Sequence, residues 1–194
     1  LVGSEMCIRD RVIDLVELVY QTSGEFNEKF EQKELTIVTK LPKTAVLIRA
    51  DGRQLYRVIE NLYNNVAKYA LEKTRVYVDI AYVEEKVVFS IKNVSEHSLA
   101  RENSNAGDLT ERFIRGDSSR TTEGSGLGLS IAKSLTVLMG GVFDIKVDGD
   151  LFKASITFPQ YVDENSSNPK MEEPASEDDY EIEELEPEER IEKE

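Results

Sequence analysis

Among 194 residues there is one cysteine, one histidine and no tryptophan. Cys7 alone excludes an internal disulfide framework, so the fold must rest on its own hydrophobic core, and the composition fits a reducing compartment. No apolar run approaches the ~18 residues that a membrane-spanning helix needs. A basic excess is also missing: 24 Lys and Arg stand against 38 Asp and Glu, which argues against nucleic acid as a main partner. The acidity itself is local. Residues 161–194 hold 15 acidic and 3 basic side chains, a net of −12 out of −14, so residues 1–160 carry only −2. The folded part is therefore nearly neutral, and the tail's charge says nothing about what that part binds.

Hydrophobic periodicity divides what remains. Val12 to about Lys33 has helical spacing of apolar residues, including Leu15, Val16, Val19, Phe26 and Phe30. Two short strand-like runs follow, Leu35–Val38 and Ala45–Ile48, with a turn expected at Leu41-Pro42-Lys43. Asp51 begins a second helix with Leu55, Val58, Ile59, Leu62, Val66 and Tyr69 inward. Arg75–Val83 and Lys86–Asn93 alternate like paired strands around Glu84-Glu85. Ser95–Glu123 has no sustained period beyond a short helical stretch at Leu109–Ile114, which suits a mobile lid. A buried helix, Leu127–Met139, ends at Gly140-Gly141, and Val142–Val147 with Phe152–Phe158 form a last hairpin around Asp148-Gly149-Asp150. Beyond Pro159 the chain is polar and acidic, and disorder is expected, with at most a transient helix over Glu181–Glu194.

These elements give an α/β (α+β) two-layer sandwich, one mixed and mostly antiparallel sheet against three helices with a mobile lid. The expected divisions are residues 12–159 as the domain and 160–194 as a disordered tail. Residues 1–11, through Met6-Cys7-Ile8-Arg9-Asp10, resemble a translated sequencing adaptor and are set apart from the fold. On that reading the natural protein continues upstream of Val12.

Two motifs carry chemistry. Gly124-Ser125-Gly126-Leu127-Gly128-Leu129 opens a helix after the lid. Glycines there let the backbone approach a phosphate, and the amides at a helix N-terminus attract the anion. The motif follows no strand and lacks a Gly-Lys-Ser/Thr ending, so neither a dinucleotide fingerprint nor a P-loop fits. The second motif is Asn61-Leu62-Tyr63-Asn64-Asn65-Val66-Ala67-Lys68-Tyr69. On a helix, Asn61, Asn65, Lys68 and Tyr69 fall on or near one face, bringing together amide oxygens, an ammonium and a ring. Either motif alone also suits a bland role, a hinge or a wet helix face.

Together, and with Glu111-Arg112-Phe113-Ile114-Arg115-Gly116-Asp117 between them, they resemble the ATP-binding domain of sensor histidine kinases and of gyrase-type ATPases, over residues 12–159. The resemblance implies that Asn65 holds Mg2+ and that Asn61 supports metal and phosphates. It likewise implies that Lys68 neutralises phosphate charge and that Tyr69 packs on the nucleotide. Gly124, Gly126, Leu127 and Gly128 would form the phosphate-facing end of the lid, and Phe113 and Arg115 its mobile part. Arg115 would reach the γ-phosphate of ATP, which makes Asn61, Lys68 and Arg115 the catalytic candidates. Hydrolytic relatives place a glutamate base where this chain has Asn61. Glu60 is one residue off, turned by roughly 100° on a helix, which suits phosphate transfer better than hydrolysis.

One box departs from the family. Where an Asp-x-Gly-x-Gly is usual, this chain reads Asn93-Val94-Ser95-Glu96-His97. Asn93 can still accept a hydrogen bond from adenine, though as a neutral and weaker acceptor. His97, the one histidine, sits in that loop and is not taken as a phosphoacceptor. The implied partners are an upstream histidine-bearing dimerisation domain, a response regulator, and a second copy in a full-length homodimer; nucleic acid is not among them. The implied setting is a cytoplasmic domain of a protein anchored in the cell membrane. The rival readings are an anti-sigma-factor-like serine kinase and a non-catalytic nucleotide-binding scaffold.

Overall fold

The structure, a computed structural model, describes residues 11–96, 127–162 and 180–185. Strand β1 (Arg11–Asp14) leads into α1 (Leu15–Glu31), followed by β2 (Thr36–Pro42), β3 (Leu47–Ala50) and α2 (Gly52–Tyr69). The hairpin β4 (Arg75–Val83) and β5 (Lys86–Val94) comes next, then α3 (Gly128–Leu138), β6 (Val142–Asp148), β7 (Leu151–Pro159) and β8 (Tyr180–Leu185).

A six-stranded sheet runs in the order β6-β7-β5-β4-β2-β8, and a separate two-stranded sheet joins β1 to β3. Among the described strands only the β2–β4 pair is parallel. The sandwich is thus mixed and mostly antiparallel, with the helices on one face. In β4 the buried residues alternate strictly, Val76, Val78, Ile80 and Tyr82, which sets that face against the helices. Each fully buried side chain of this kind contributes about 1.5–3 kcal/mol over leaving it in water. Between α1 and α2 the rings of Phe26, Phe30 and Tyr63 pack together, with Phe30 and Tyr63 stacked at 6.0 Å. Ser23 Oγ lies 2.7 Å from the Tyr63 hydroxyl in this buried layer.

Several boundaries differ from the periodicity reading. Val12 and Ile13 belong to β1, not to the first helix, because Ile13 pairs with Ile48 across the small sheet. Asp14 then caps α1: its carboxylate accepts from Val16 N at 3.0 Å and from Val46 N at 3.1 Å, fixing helix and neighbouring loop at once. Arg11, set apart with the adaptor-like residues, pairs with Ala50. The two short runs after α1 do not pair with each other; β2 enters the large sheet and β3 the small one. No turn falls at Leu41-Pro42, since β2 runs on to Pro42, a strand end where a missing N–H is tolerated.

Both hairpins appear as read. Val83 pairs with Lys86, leaving Glu84-Glu85 as the connection, with Glu84 at φ 57°. Asp148 pairs with Leu151, and Gly149 supplies φ 57°. α3 is closed off just beyond Leu138 by Gly140, φ 79°, with Gly141 N donating to Thr136 O at 2.9 Å. The largest difference lies in the tail. Tyr180–Leu185, placed by sequence in a disordered stretch or a transient helix, is a strand antiparallel to β2. Strand pairing with a non-local edge has overridden a composition that reads as unfolded.

Candidate functional site

The site is built on α2, and its placement begins with the cap. Asp51 accepts from Arg53 N at 3.0 Å and Gln54 N at 3.2 Å, which starts the helix cleanly. Leu55, Val58, Ile59, Leu62, Tyr63 and Val66 then turn inward. That pattern leaves Asn61, Asn65, Lys68 and Tyr69 half-buried along the flank, while Asn64 faces out and accepts from Lys29 Nζ at 3.1 Å. Lys68 Nζ stands 5.1 Å from the centroid of the Tyr69 ring. Asn61 Nδ2 donates back to Arg57 O at 2.7 Å, so its Oδ1 is the end left facing outward from α2.

That oxygen meets α3. A Cβ placed on Gly128 would lie 3.2 Å from Asn61 Oδ1, tighter than an ordinary contact. Glycine at this position lets the start of α3 come up against the asparagine face. The same helix start differs from the other two. Asp14 and Asp51 cap α1 and α2, whereas Leu127 gives α3 no side-chain cap, and Ser130 Oγ donates to Leu127 O at 2.7 Å without reaching an amide. Among the described residues no side chain caps the first N–H groups of α3 beside Asn61, the geometry and field that suit an anion.

The C-terminal end of α2 is clamped to the end of β5. Ala70 bridges Ser95, Leu71 N donates to Val94 O at 2.9 Å, and Glu96 N donates to Tyr69 O at 2.9 Å. Ser95, which the motif reading placed where relatives have a glycine, is therefore a buried junction residue between the two boxes. From the other side, Lys33 Nζ donates to Lys68 O at 3.0 Å and Ala70 O at 3.2 Å. Sequence reading missed Lys33 because nothing local in the chain marks a lysine as the C-cap of a helix 35 residues on.

Asn93 is 2% exposed on the helix-facing side of β5. Its Nδ2 donates to Val94 O at 3.0 Å, and its Oδ1 is buried with no hydrogen-bond partner. An orphaned buried acceptor costs about 1–3 kcal/mol, and such atoms in native folds call for a ligand or another explanation. Among the described residues the structure thus draws Asn61, Asn65, Lys68, Tyr69, Leu127 and Gly128 into one region, with Asn93 joined to it through the Ala70–Ser95 bridge. Phe113, Arg115, Gly124, Gly126 and His97, and the stretch Leu109–Ile114, lie outside the described residues. No group of three or more His, Cys, Asp or Glu able to hold a metal occurs among the described residues, and no helix there is long and apolar enough to cross a membrane.

The family model described as histidine kinase-, DNA gyrase B- and HSP90-like ATPase matches residues 50–169, and the chain belongs to that family. Sensor protein GtcS of Aneurinibacillus migulanus is 30% identical over 106 residues, 55% of this chain and 28% of the relative. Sensor protein BasS of Salmonella typhimurium is 30% identical over 131 residues, 66% of this chain and 35% of the relative. The chain therefore spans about a third of the length of these relatives. Among solved structures, the catalytic domain of histidine kinase ThkA superposes with a TM-score of 0.66 at 20% identity, covering 78% of this chain and 95% of that one. That likeness is one of fold.

Proposed function

We propose that this chain is the ATP-binding part of a protein-histidine kinase, which binds Mg-ATP and passes the γ-phosphate to a histidine on an upstream dimerisation domain. The phosphate then moves to a response regulator, and the parent protein works as a homodimer anchored in the membrane with this domain in the cytoplasm. The single observation that carries the reading is the meeting of Asn61 with Gly128 at the uncapped start of α3. An aspartate cap there, as on α1 and α2, would repel a phosphate; its absence leaves the amides for one.

The residues present fit both nucleotide and metal. Asn93 Oδ1 is a buried acceptor in want of a donor, which the adenine amino group supplies and the guanine carbonyl does not. Asn65 and Asn61 offer neutral amide oxygens, and Mg2+ takes few protein ligands while keeping waters and phosphate oxygens. When bound, the metal would supply charge to the phosphates; Asn65 is the residue assigned to hold it. Lys68 neutralises phosphate charge and Tyr69 packs on the nucleotide, with Lys33 holding the backbone of that last turn. Leu127 and Gly128 are assigned to the phosphate side; Gly124, Gly126, Phe113 and Arg115 lie outside the described residues and are assigned to the lid by the motif resemblance, the Arg115 guanidinium to offset charge that develops during transfer.

Calorimetry with Mg-ATP tests this on the chain as it stands. Binding that requires magnesium, and that Asn65→Ala weakens by tenfold or more, is the expected result. No binding at millimolar nucleotide would favour a scaffold instead. Transfer from γ-labelled ATP to a serine, with none to added histidine-bearing helices, would favour the serine-kinase reading.

A further inference from the structure

The large sheet has two ends, and the chain treats them differently. At one end β6 has no further strand beside it among the described residues, and it carries Asp144, Lys146 and Asp148, alternate charges that discourage pairing with another strand. At the other end β2, with the sequence TIVTKLP, has a single charged residue in seven. That end is covered by β8, with the sequence YEIEEL and three carboxylates in six residues. The cover is fastened by Tyr20 on α1, whose hydroxyl donates to Glu181 Oε2 at 3.0 Å, and by Thr39 Oγ1, which donates to Glu183 O at 3.4 Å. β8 thus replaces an edge suited to pairing by one whose like charges repel a copy of itself.

What lies beneath the cover is self-complementary. β8 runs antiparallel to β2, the direction that a two-fold-related β2 would also take, and sets Glu183 opposite Thr39. Pairing β2 with a second β2 about Thr39 sets Thr39 against Thr39, and Ile37 against Leu41, Val38 against Lys40 and Thr36 against Pro42 twice each. Each is a favourable or neutral cross-strand pair, and none opposes like charges. The arrangement is isologous and closes on itself as a two-fold dimer.

We propose that β2 is a homotypic docking edge, that its partner is the β2 edge of a second copy of this chain, and that the acidic strand β8 holds it shut. This interface would be distinct from the helical dimerisation domain of the functional reading and does not depend on nucleotide. One seven-residue strand pair is small against the ~1,200–2,000 Å² of a stable interface, so association should be weak and concentration-dependent.

The test uses the full chain. Glu183→Pro removes an N–H and the extended pairing at the centre of β8. Sedimentation should show the parent as monomer and E183P as a monomer–dimer mixture at high micromolar concentration. Amide exchange in β2 should speed up in dilute E183P and slow again on concentration. Adding Val38→Lys places an ammonium opposite the partner's Lys40 at both ends of the two-fold pair. It should return E183P to monomer, while in the parent it sits in register with Glu184 and does no harm. Should E183P lose its helical circular dichroism, the chain lacking 180–194 carries the same expectations. Equal association in parent and variant, no association in either, or a dimer indifferent to V38K would each overturn the proposal. Mg-ATP affinity should be equal in all of these, so this failure and that of the kinase reading are distinguishable.

Discussion

Asn61 and Gly128 face each other where α2 meets α3, with Asn61 Oδ1 only 3.2 Å from the place a Cβ on Gly128 would take. The pair explains why glycine occupies the first turn of a helix, where it costs roughly 0.5–1 kcal/mol relative to alanine. Gly128→Ala should accordingly leave the melting temperature equal or slightly raised. The added methyl requires Asn61 Oδ1 to give way by a few tenths of an ångström on the phosphate side, so Mg-ATP affinity should fall several-fold. Calorimetry beside a thermal melt separates the two effects; a variant that binds as tightly as the parent removes Asn61 from the phosphate side.

Lys33 ties the end of α1 to the last turn of α2 through the carbonyls of Lys68 and Ala70. Hydrogen bonds from charged groups contribute about 1.5–3 kcal/mol, and a cation at a helix C-terminus also meets the dipole favourably. Lys33→Met should therefore lower the melting temperature by several degrees, at about 2–4 °C per kcal/mol for a chain of this size. Because Lys68 and Tyr69 sit on the loosened turn, nucleotide affinity should fall as well. Lys33→Arg should recover most of both, and an unchanged melt for Lys33→Met would show the bonds to be worth nothing net.

What could be read from the sequence follows from how local the cause is. α2 with its polar flank, and the two hairpins, rest on period and turn chemistry within twenty residues, so they were legible. β1 was hidden because Val12 and Ile13 fit a helix period as well as a strand, and only pairing with β3 decides between them. β8 was hidden more deeply: its carboxylates read as unfolded chain, and its partner β2 lies more than 130 residues away. The asparagine positions were legible as a face, but the orphaned Oδ1 of Asn93 shows itself only once burial is known. The same holds for Ser95, whose place in the sheet junction with Ala70 no local pattern encodes.

Alkaline pH should unfold the domain through its phenols. Burial holds Tyr63 well above the usual phenol range, with the Ser23 hydrogen bond working weakly the other way. Tyr20 is pushed up to about 12, by burial first and then by its bond to Glu181. A group with a raised native pKa binds its proton longer when folded, so its stability contribution is complete below the unfolded value of ~10 and is lost as pH rises towards the native one. Stability should thus be flat with respect to these groups below pH ~9 and fall above ~10, by up to ~1.4 kcal/mol per pH unit for Tyr63. Tyr63→Phe should cost about 1 kcal/mol at neutral pH and flatten the alkaline limb. If urea midpoints of parent and variant fall in parallel above pH 10, Tyr63 is not the group responsible.

Asn93 decides whether the adenine assignment stands. Replacing it by leucine removes an unpartnered buried oxygen, and the Val94 carbonyl it would abandon still accepts from Leu71 N at 2.9 Å. Asn93→Leu should therefore keep the parent's unfolding free energy to within about 1 kcal/mol, since an orphan and a hydrogen bond of similar worth are lost together. If Oδ1 reads the adenine amino group, the same variant should lose several-fold to about tenfold in ATP affinity, the worth of one hydrogen bond. The parent's preference for ATP over GTP should vanish with it. The charge-restoring change, Asn93→Asp, is less simple than motif comparison suggests. A carboxylate there gains a stronger bond to the base, but it gives up the Nδ2 bond to Val94 O and sets an oxygen 3.0 Å from that carbonyl. Its nucleotide-free form should melt lower than the parent, with Mg-ATP restoring more stability than it does to the parent. Equal binding of ATP and GTP by the parent would mean that Asn93 does not read the base, and the buried oxygen would then need another partner.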